Sequence, residues 1–363
     1  MKNKIKIIYF IDAFAVGGAE TFLLNLCKQI DKDKFDISVV AVVKSGLLQK
    51  QFEKAGIKVK VFNKKSKLAL GLIWQLRNYI KAEQPDIVHT NLFGADTWGR
   101  IAAFLAGVPI IISTEHNINL DESWLKKVVK FLLSYITTKI VAVSEGVRLY
   151  SIGAEKISPK KFVKINYGID LSKFKFQSKH LEISKTIQAV VVGRLEPQKG
   201  HHYLIEAIPL ILKRYPFFKL NIIGSGSLEK EYQQLVKKLH IERNVKFWGK
   251  RLNVNKLLLK MDLFILSSLW EGLGIAILEA QASGLPVLAS DIPGVRDVIK
   301  DKKTGLLFAA KNPQDIFNKV DLILSDFQLK DQIVKNAYQQ VKTDFSVQTM
   351  VKNYTDLYLN LVK

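Results

Sequence analysis

The sequence predicts an α/β protein made of two doubly wound, Rossmann-like domains. Three observations carry this. Short apolar runs alternate with helix-period segments along most of the chain. Several runs, such as SVVAVV, are apolar without alternation, which suits strands covered on both faces. The cycle then restarts midway, so the 363 residues divide into two cores rather than one. Strand–helix–strand repetition calls for parallel sheets with right-handed crossovers.

In the first half the expected strands are IKIIYFI (5–11), ISVVAVV (37–43), IKVKVF (57–62), DIVHT (86–90), PIIIST (109–114) and KIVAVS (139–144). The first follows lysines, as a signal peptide would. Its apolar run is short, is cut by Asp12 and lacks a small-residue cleavage site, so it reads as a strand. Helical patterns lie between, as in AETFLLNLCKQI, where Phe22, Leu23, Leu26 and Ile30 share one face. The polar, weakly patterned stretch 175–185 is the expected linker. TIQAVVVG (186–193) then reopens the cycle, followed by HHYLIEAIPLILKRY, FKLNIIG, LEKEYQQLVKKLHI, NVKFWG, MDLFILSS, GIAILEAQAS and LPVLAS. Beyond residue 313 the period is helical almost throughout. The boundary is therefore expected at 175/176, with the second domain spanning 176–344. Ligands of such sheets bind at the carboxyl ends of strands, so the domains are expected to face each other across a cleft.

Composition narrows the function. Cys27 is the only cysteine, which excludes an internal disulfide and a thiolate metal cluster and points to a cytoplasmic location. No segment approaches the ~18–20 uninterrupted apolar residues of a membrane span. The net charge of +22 attracts anions: nucleotides, nucleic acid or acidic lipid. Basic, aromatic-rich stacking motifs are missing and lysine outnumbers arginine, which argues against nucleic acid.

Five loops after expected strands could carry chemistry. FAVGGAET contains Gly17 and Gly18 at a strand-to-helix turn, where backbone approaches a ligand closely and exposes amides to anions; taken alone, such a pair is more often a plain tight turn. STEHNIN carries His116 just past a strand, although a single histidine is usually structural. VGRLEPQKG offers Arg194, a planar fork, and Lys199, a point charge, between Gly193 and Gly200. IIGSGSLEKEY has G-x-G but no third glycine, and so is a poor dinucleotide fingerprint. LWEGLGIAILEA puts Glu271 in a loop beside the amides of Gly272, Leu273, Gly274 and Ile275. Glu279 follows inside the ensuing helix, between Leu278 and Ala280.

Taken in order, VGGAET, PDIVHTN, GRIAAFLAGVPIIISTEHN, VAVSEGV, NYGIDLSKF, VGRLEPQKG, IIGSGSLEKEY, VKFWGK, SSLWEGLGIAILEAQASGLPVLASDIPGVRDVI and TGLLF resemble glycosyltransferase family 4, retaining enzymes of the GT-B fold. The resemblance covers nearly the whole chain. It implies an acceptor-binding first domain (1–175, with 345–363 crossing back onto it) and a nucleotide-sugar-binding second domain. By it, Glu271 contacts hydroxyls of the donor sugar and Glu279 the ribose. Arg194 and Lys199 bind the diphosphate, with Gly193 beside them and the amides of Gly272, Leu273, Gly274 and Ile275 at the helix start. Gly17 and Gly18 form a flexible loop near phosphate and acceptor. His116 faces the reacting sugar, and backbone around Lys250 holds the base. Leu273, Tyr167, Pro293 and Asp297 depart from the residues the family most often has at those places.

The implied reaction moves a sugar from a nucleotide-sugar, UDP-linked first and GDP-linked second, to a hydroxyl of a glycan or lipid-linked acceptor in the cell envelope. No cofactor or metal is implied. The one D-x-D, Asp31 and Asp33, lies in the lysine-rich turn DKDKF and reads as a solvated turn. Segments 63–81 and 123–135 join lysines to apolar-periodic helices. They read either as core helices or as docking elements for an anionic membrane, which would make the protein peripheral on its inner face. A sugar-nucleotide epimerase or hydrolase on the same fold is the alternative enzyme.

Overall fold

A computed structural model describes residues 4–15, 17–64, 70–178, 186–251 and 253–363. The chain forms two compact units, Met1–Gly168 with Val347–Lys363, and Ile169–Ser346.

In the first unit seven strands run parallel: β1 (Ile5–Ala13), β2 (Phe35–Lys44), β3 (Lys58–Val61), β4 (Ile87–Asn91), β5 (Ile110–Glu115), β6 (Lys139–Ala142) and β7 (Phe162–Lys164). Their order is β3-β2-β1-β4-β5-β6-β7. The order reverses between β1 and β4, which makes the carboxyl ends of those strands the switch point. Ile7 to Ile11 are fully buried, as a central strand covered on both faces requires. On one face Ile8, Phe10, Val40, Val88 and Ile111 meet Leu72, Leu76 and Ile80 of helix Leu70–Glu83. On the other lies the last helix, Val347–Val362, which buries Val347, Met350, Tyr354 and Tyr358 at helical spacing. Of its buried tyrosines, Tyr358 is hydrogen-bonded within the first unit. The Tyr358 hydroxyl is 2.9 Å from that of Tyr9 and 2.7 Å from His89 Nδ1, and His89 Nε2 is 2.7 Å from Thr114 Oγ1. Burial pushes His89 down to about 3, so it stays neutral in this network.

In the second unit six strands run parallel: β8 (Ile187–Val192), β9 (Phe218–Ile223), β10 (Val245–Gly249), β11 (Leu263–Leu266), β12 (Val287–Ser290) and β13 (Leu306–Phe308). Their order is β10-β9-β8-β11-β12-β13, with the switch point between β8 and β11. Helices His201–Arg214 and Pro313–Ser325 bury Leu204, Ile208, Ile211, Ile316, Val320 and Ile323 against the sheet.

Two strands are additional to the sequence expectation. β7 and β13 have three residues each, too few to show a period. The boundary also falls earlier than composition suggests, at Gly168/Ile169. The polar stretch begins as part of the second unit: the Gln177 N–H donates to the Ser283 carbonyl at 3.2 Å. Its residues 179–185 lie outside the described residues, as do 65–69 of the segment 63–81. The D-x-D turn closes on itself, with Asp31 Oδ1 accepting the Asp33 N–H at 2.9 Å and Asp31 paired to Lys34. No helix among the described residues is long and apolar enough to cross a membrane.

Candidate active site

At the switch point of the second unit, the loops after β8 and β11 are bound to each other. The Leu269 N–H donates to the Gln198 carbonyl at 2.8 Å. Gln198 Nε2 donates to the Trp270 carbonyl at 2.9 Å, and Ser267 Oγ to the Lys199 carbonyl at 3.2 Å. This close approach needs Gly200, whose φ is +56°. A Cβ there would lie 2.3 Å from the Ser267 carbonyl oxygen. Gly294, with φ +86°, likewise lies where a Cβ would meet the carbonyls of Glu271 and Gly272 at 2.4 and 2.7 Å.

This framework brings several of the expected residues together. Lys199 Nζ donates to Glu271 Oε1, and Ser268 Oγ donates to the same oxygen at 2.7 Å. Glu271 is buried and the lysine stem runs along Gly193, with Cδ 3.4 Å from where its Cβ would stand. Arg194 is exposed and donates from Nη2 to Gln198 Oε1 at 3.1 Å. Two helices start here, His201–Arg214 after Gly200 and Ile275–Ala282 after Gly274, and neither start has a side-chain cap. Their first N–H groups therefore keep their capacity to bind an anion. Gly272 and Leu273 are buried, while Ile275 is half-buried at the helix start.

Glu279 lies one turn into the second of these helices. The residue as a whole is half-buried. Burial pushes its carboxyl up to about 7, with Lys173 pulling it back. Lys250 stands apart, exposed just past the edge strand β10. With Trp248, Arg251, Asn253, Lys256 and Leu257 it lines an open cavity of about 520 Å³.

The first unit holds a second group of the expected residues. Gly17 precedes helix Gly18–Gln29, in a turn whose Val16 lies outside the described residues. A Cβ on Gly17 would meet the Glu20 carboxylate at 2.4 Å. From the same helix Phe22 reaches His116, with ring centroids 5.8 Å apart. His116 follows β5, is half-buried, and is pushed down to about 3 by burial, with Asp96 opposing. Its Nε2 is 3.0 Å from Asn91 Oδ1, and its Nδ1 meets the Tyr167 hydroxyl. The loop beyond His116 is fixed by a buried cation: Lys130 Nζ lies 3.0 Å from Glu115, 3.2 Å from Glu122 and 2.8 Å from Glu155.

Sequence reasoning passed over Gln198, Ser268, Asn91 and Gly294. Gln198 and Ser268 sit inside loops already singled out, and polar residues there were the available signal. Asn91 and Gly294 act through tertiary approach, which leaves no local pattern.

The glycosyltransferase family 4 signature matches residues 16–173, and that of glycosyl transferases group 1 matches residues 172–340. The UDP-Gal:alpha-D-GlcNAc-diphosphoundecaprenol alpha-1,3-galactosyltransferase of Escherichia coli is 30% identical over 305 residues, 79% of this chain and 78% of that protein. The capsular polysaccharide biosynthesis glycosyltransferase CapM of Staphylococcus aureus is 25% identical over 309 residues, 77% of this chain and 78% of its own. Among solved structures, Anabaena HepE in complex with UDP and glucose superposes with a TM-score of 0.85 at 24% identity, covering 98% of this chain and 99% of that one. This last likeness is of fold: two Rossmann-like units, each with a parallel sheet. With signatures spanning both halves and a relative 30% identical over more than two thirds of both chains, the chain belongs to the family 4, group 1 glycosyltransferases.

Proposed function

We propose that the protein is a retaining, metal-independent transferase that takes a sugar from a UDP-sugar to a hydroxyl of a lipid-linked or glycan acceptor. The observation that carries this is the Lys199–Glu271 pair, set between two uncapped helix starts at the switch point. A diphosphate entering there competes for Lys199. Its binding opens the pair, gives the ammonium to phosphate oxygens, and frees Glu271 to accept sugar hydroxyls. Arg194 supplies a second cation, and the amides at Gly272 to Ile275 supply dipoles.

In the reaction the bond from the anomeric carbon to the diphosphate oxygen breaks, and the acceptor oxygen bonds to that carbon on the same face. The acceptor proton passes to the departing phosphate oxygen. Negative charge builds on the leaving group, and these fixed donors stabilise it without reorganising. Glu279 is assigned to the ribose hydroxyls and backbone near Lys250 to the base. Gly17, Gly18 and His116 are assigned to the transferred sugar and acceptor. UDP is favoured over GDP because the Escherichia coli relative's name specifies UDP-Gal and the Anabaena structure contains UDP. The same relative's name, with diphosphoundecaprenol in its acceptor, favours a lipid-linked acceptor.

A membrane surface fits helix Trp124–Tyr135, which is built inside out. Its buried side chains include Lys130, locked by three glutamates, whereas Trp124, Leu125, Val128, Leu132 and Tyr135 are exposed. Lys126 and Lys127 flank this apolar stripe. The pattern suits anionic lipid at the inner face of the cell membrane. Segment 63–81 does not support docking as well, because Leu72, Leu76 and Ile80 lie in the core and only Trp74 among its large apolar residues is strongly exposed among the described residues.

A thermal-shift panel with UDP, GDP and ADP, followed by donor turnover against lipid-linked acceptors, tests the proposal. A shift with one nucleoside diphosphate and retention at the anomeric carbon are expected. Indifference to all three, or inverted product, would refute it. Release of free sugar without acceptor, or an isomerised donor, would instead favour the hydrolase or epimerase.

A further inference from the structure

Tyr167 occupies a special place in the first unit. It is buried one residue before the chain passes out of that unit at Gly168/Ile169. Its ring lies 4.9 Å from that of Phe22 and, nearly parallel, 5.8 Å from that of His116. Its hydroxyl meets His116 Nδ1. Directly after it, the Gly168 N–H points at Met350 Sδ, 3.1 Å away, which pins the segment to the last helix.

The hydrogen-bond directions around His116 follow from its far side. Asn91 Nδ2 donates to the Phe10 carbonyl at 3.3 Å, so Asn91 Oδ1 is the acceptor facing the imidazole. His116 Nε2 must then carry the proton. A neutral imidazole with its proton on Nε2 has an acceptor at Nδ1, and the Tyr167 O–H donates to it. Burial holds His116 well below its ordinary value and Tyr167 well above its own, so both groups remain neutral in this exchange.

We infer that Tyr167 is a positioning residue for His116, its hydroxyl holding the imidazole as the neutral tautomer that carries its proton on Nε2. The inference rests on the proposal that His116 faces the reacting sugar. Under it, a sugar hydroxyl that replaces Asn91 meets a nitrogen that donates. Without the tyrosine hydroxyl, Nδ1 is a buried acceptor with no partner, and the proton redistributes between the two nitrogens. The tautomer at one ring nitrogen is set by the hydrogen bond at the other, and a buried acceptor left without its partner costs about 5- to 150-fold in the equilibrium it biases.

The test is nitrogen-15 NMR of histidine-labelled full-length protein, with steady-state kinetics on the same samples. In the unsubstituted protein His116 should show a protonated Nε2 and an unprotonated, hydrogen-bonded Nδ1. Tyr167→Phe keeps the ring stack with Phe22 and His116, which a thermal melt verifies. It should give a mixed tautomer and a turnover about 5- to 150-fold lower, with donor KM changed less than about threefold. A proton on Nδ1 in the unsubstituted protein overturns the inference before any variant is made. An unchanged tautomer in Tyr167→Phe overturns it too, as does a shifted tautomer with full turnover. His116→Ala separates the two readings: full activity there removes the role proposed for His116, while the NMR result still decides the Tyr167 contact.

Discussion

Replacing Lys199 by Met tests the donor site most directly. The substitution removes the ammonium and keeps the unbranched stem that runs along Gly193, so packing there is preserved. Lys199 Nζ is one of two donors on Glu271 Oε1, and the other, Ser268, remains at 2.7 Å. Glu271 therefore keeps a partner. The pair is also partly open to solvent, with side chains 16% and 7% exposed, so the stability cost is about 1–2 kcal/mol, that of a buried group which loses one of two hydrogen-bond partners. The transition-state cost is larger. Losing one fixed donor to a developing anion lowers turnover ~10²–10³-fold, about 2.7–4 kcal/mol. The assay is UDP release under saturating acceptor, with a urea melt on the same preparation. Turnover within threefold of the unsubstituted enzyme, in folded protein, would refute the assignment of Lys199 to the leaving group. Loss of UDP binding with turnover intact at saturation would mean that Lys199 binds the ground state and transition state equally.

Other expectations are brief. Glu279 is raised to about 7 from an ordinary glutamate value of ~4.3. Its protonated form is favoured by folding. That contribution is fully present below about pH 4.3 and is lost as pH rises through 7. Glu279→Gln should flatten the fall in stability across this window and remove any rise in UDP affinity above pH 7. Glu155, also raised to about 7, acts equally in both proteins, so their difference isolates Glu279; matching pH profiles would contradict the ribose role. Turnover should survive EDTA, because Arg194, Lys199 and the helix starts supply the positive charge; strict dependence on a divalent ion would count against that. Trp124→Glu with Leu132→Glu should lower partition onto anionic vesicles at least about tenfold, since each apolar side chain is worth about 1.5–3 kcal/mol when buried; unchanged partition sinks the docking surface. Tyr358→Phe removes the hydroxyl linking Tyr9 and His89, and should cost about 1–3 kcal/mol in a urea melt.

Much of this architecture was legible because parallel strands announce themselves. Ile7–Ile11 and Val39–Val42 are unbroken apolar runs, and covering both faces of a sheet demands that. The loops were legible for a related reason. Arg194, Lys199 and Glu271 are charged residues placed just past buried strands, where solvation alone seldom explains them. What stayed hidden depends on three-dimensional approach. That Gly294 lies against the carbonyls of Glu271 and Gly272, or that Gln198 joins two loops, has no local period. Strands of three residues likewise fall below the length at which alternation can be read.

The lysine at position 130 shows where pattern reading inverts. A lysine among Trp124, Leu125, Val128, Leu132 and Tyr135 reads as the polar edge of an otherwise apolar core helix. In the structure the lysine is inside, held by Glu115, Glu122 and Glu155. Burial works against its charge, but the three carboxylates more than offset this and hold the ammonium protonated. Once those partners are known, the outward apolar stripe ceases to be spare core material. A helix that buries its cation at the cost of desolvating four charges, and leaves its tryptophan 70% exposed, has no interior reason for that tryptophan. The docking proposal supplies a reason outside the chain: with lysines along the stripe, an anionic, apolar-cored partner would meet both demands at once. The same ion cluster ends at Glu115, next to His116, so the helix assigned to the membrane and the histidine assigned to the sugar share one anchor on β5.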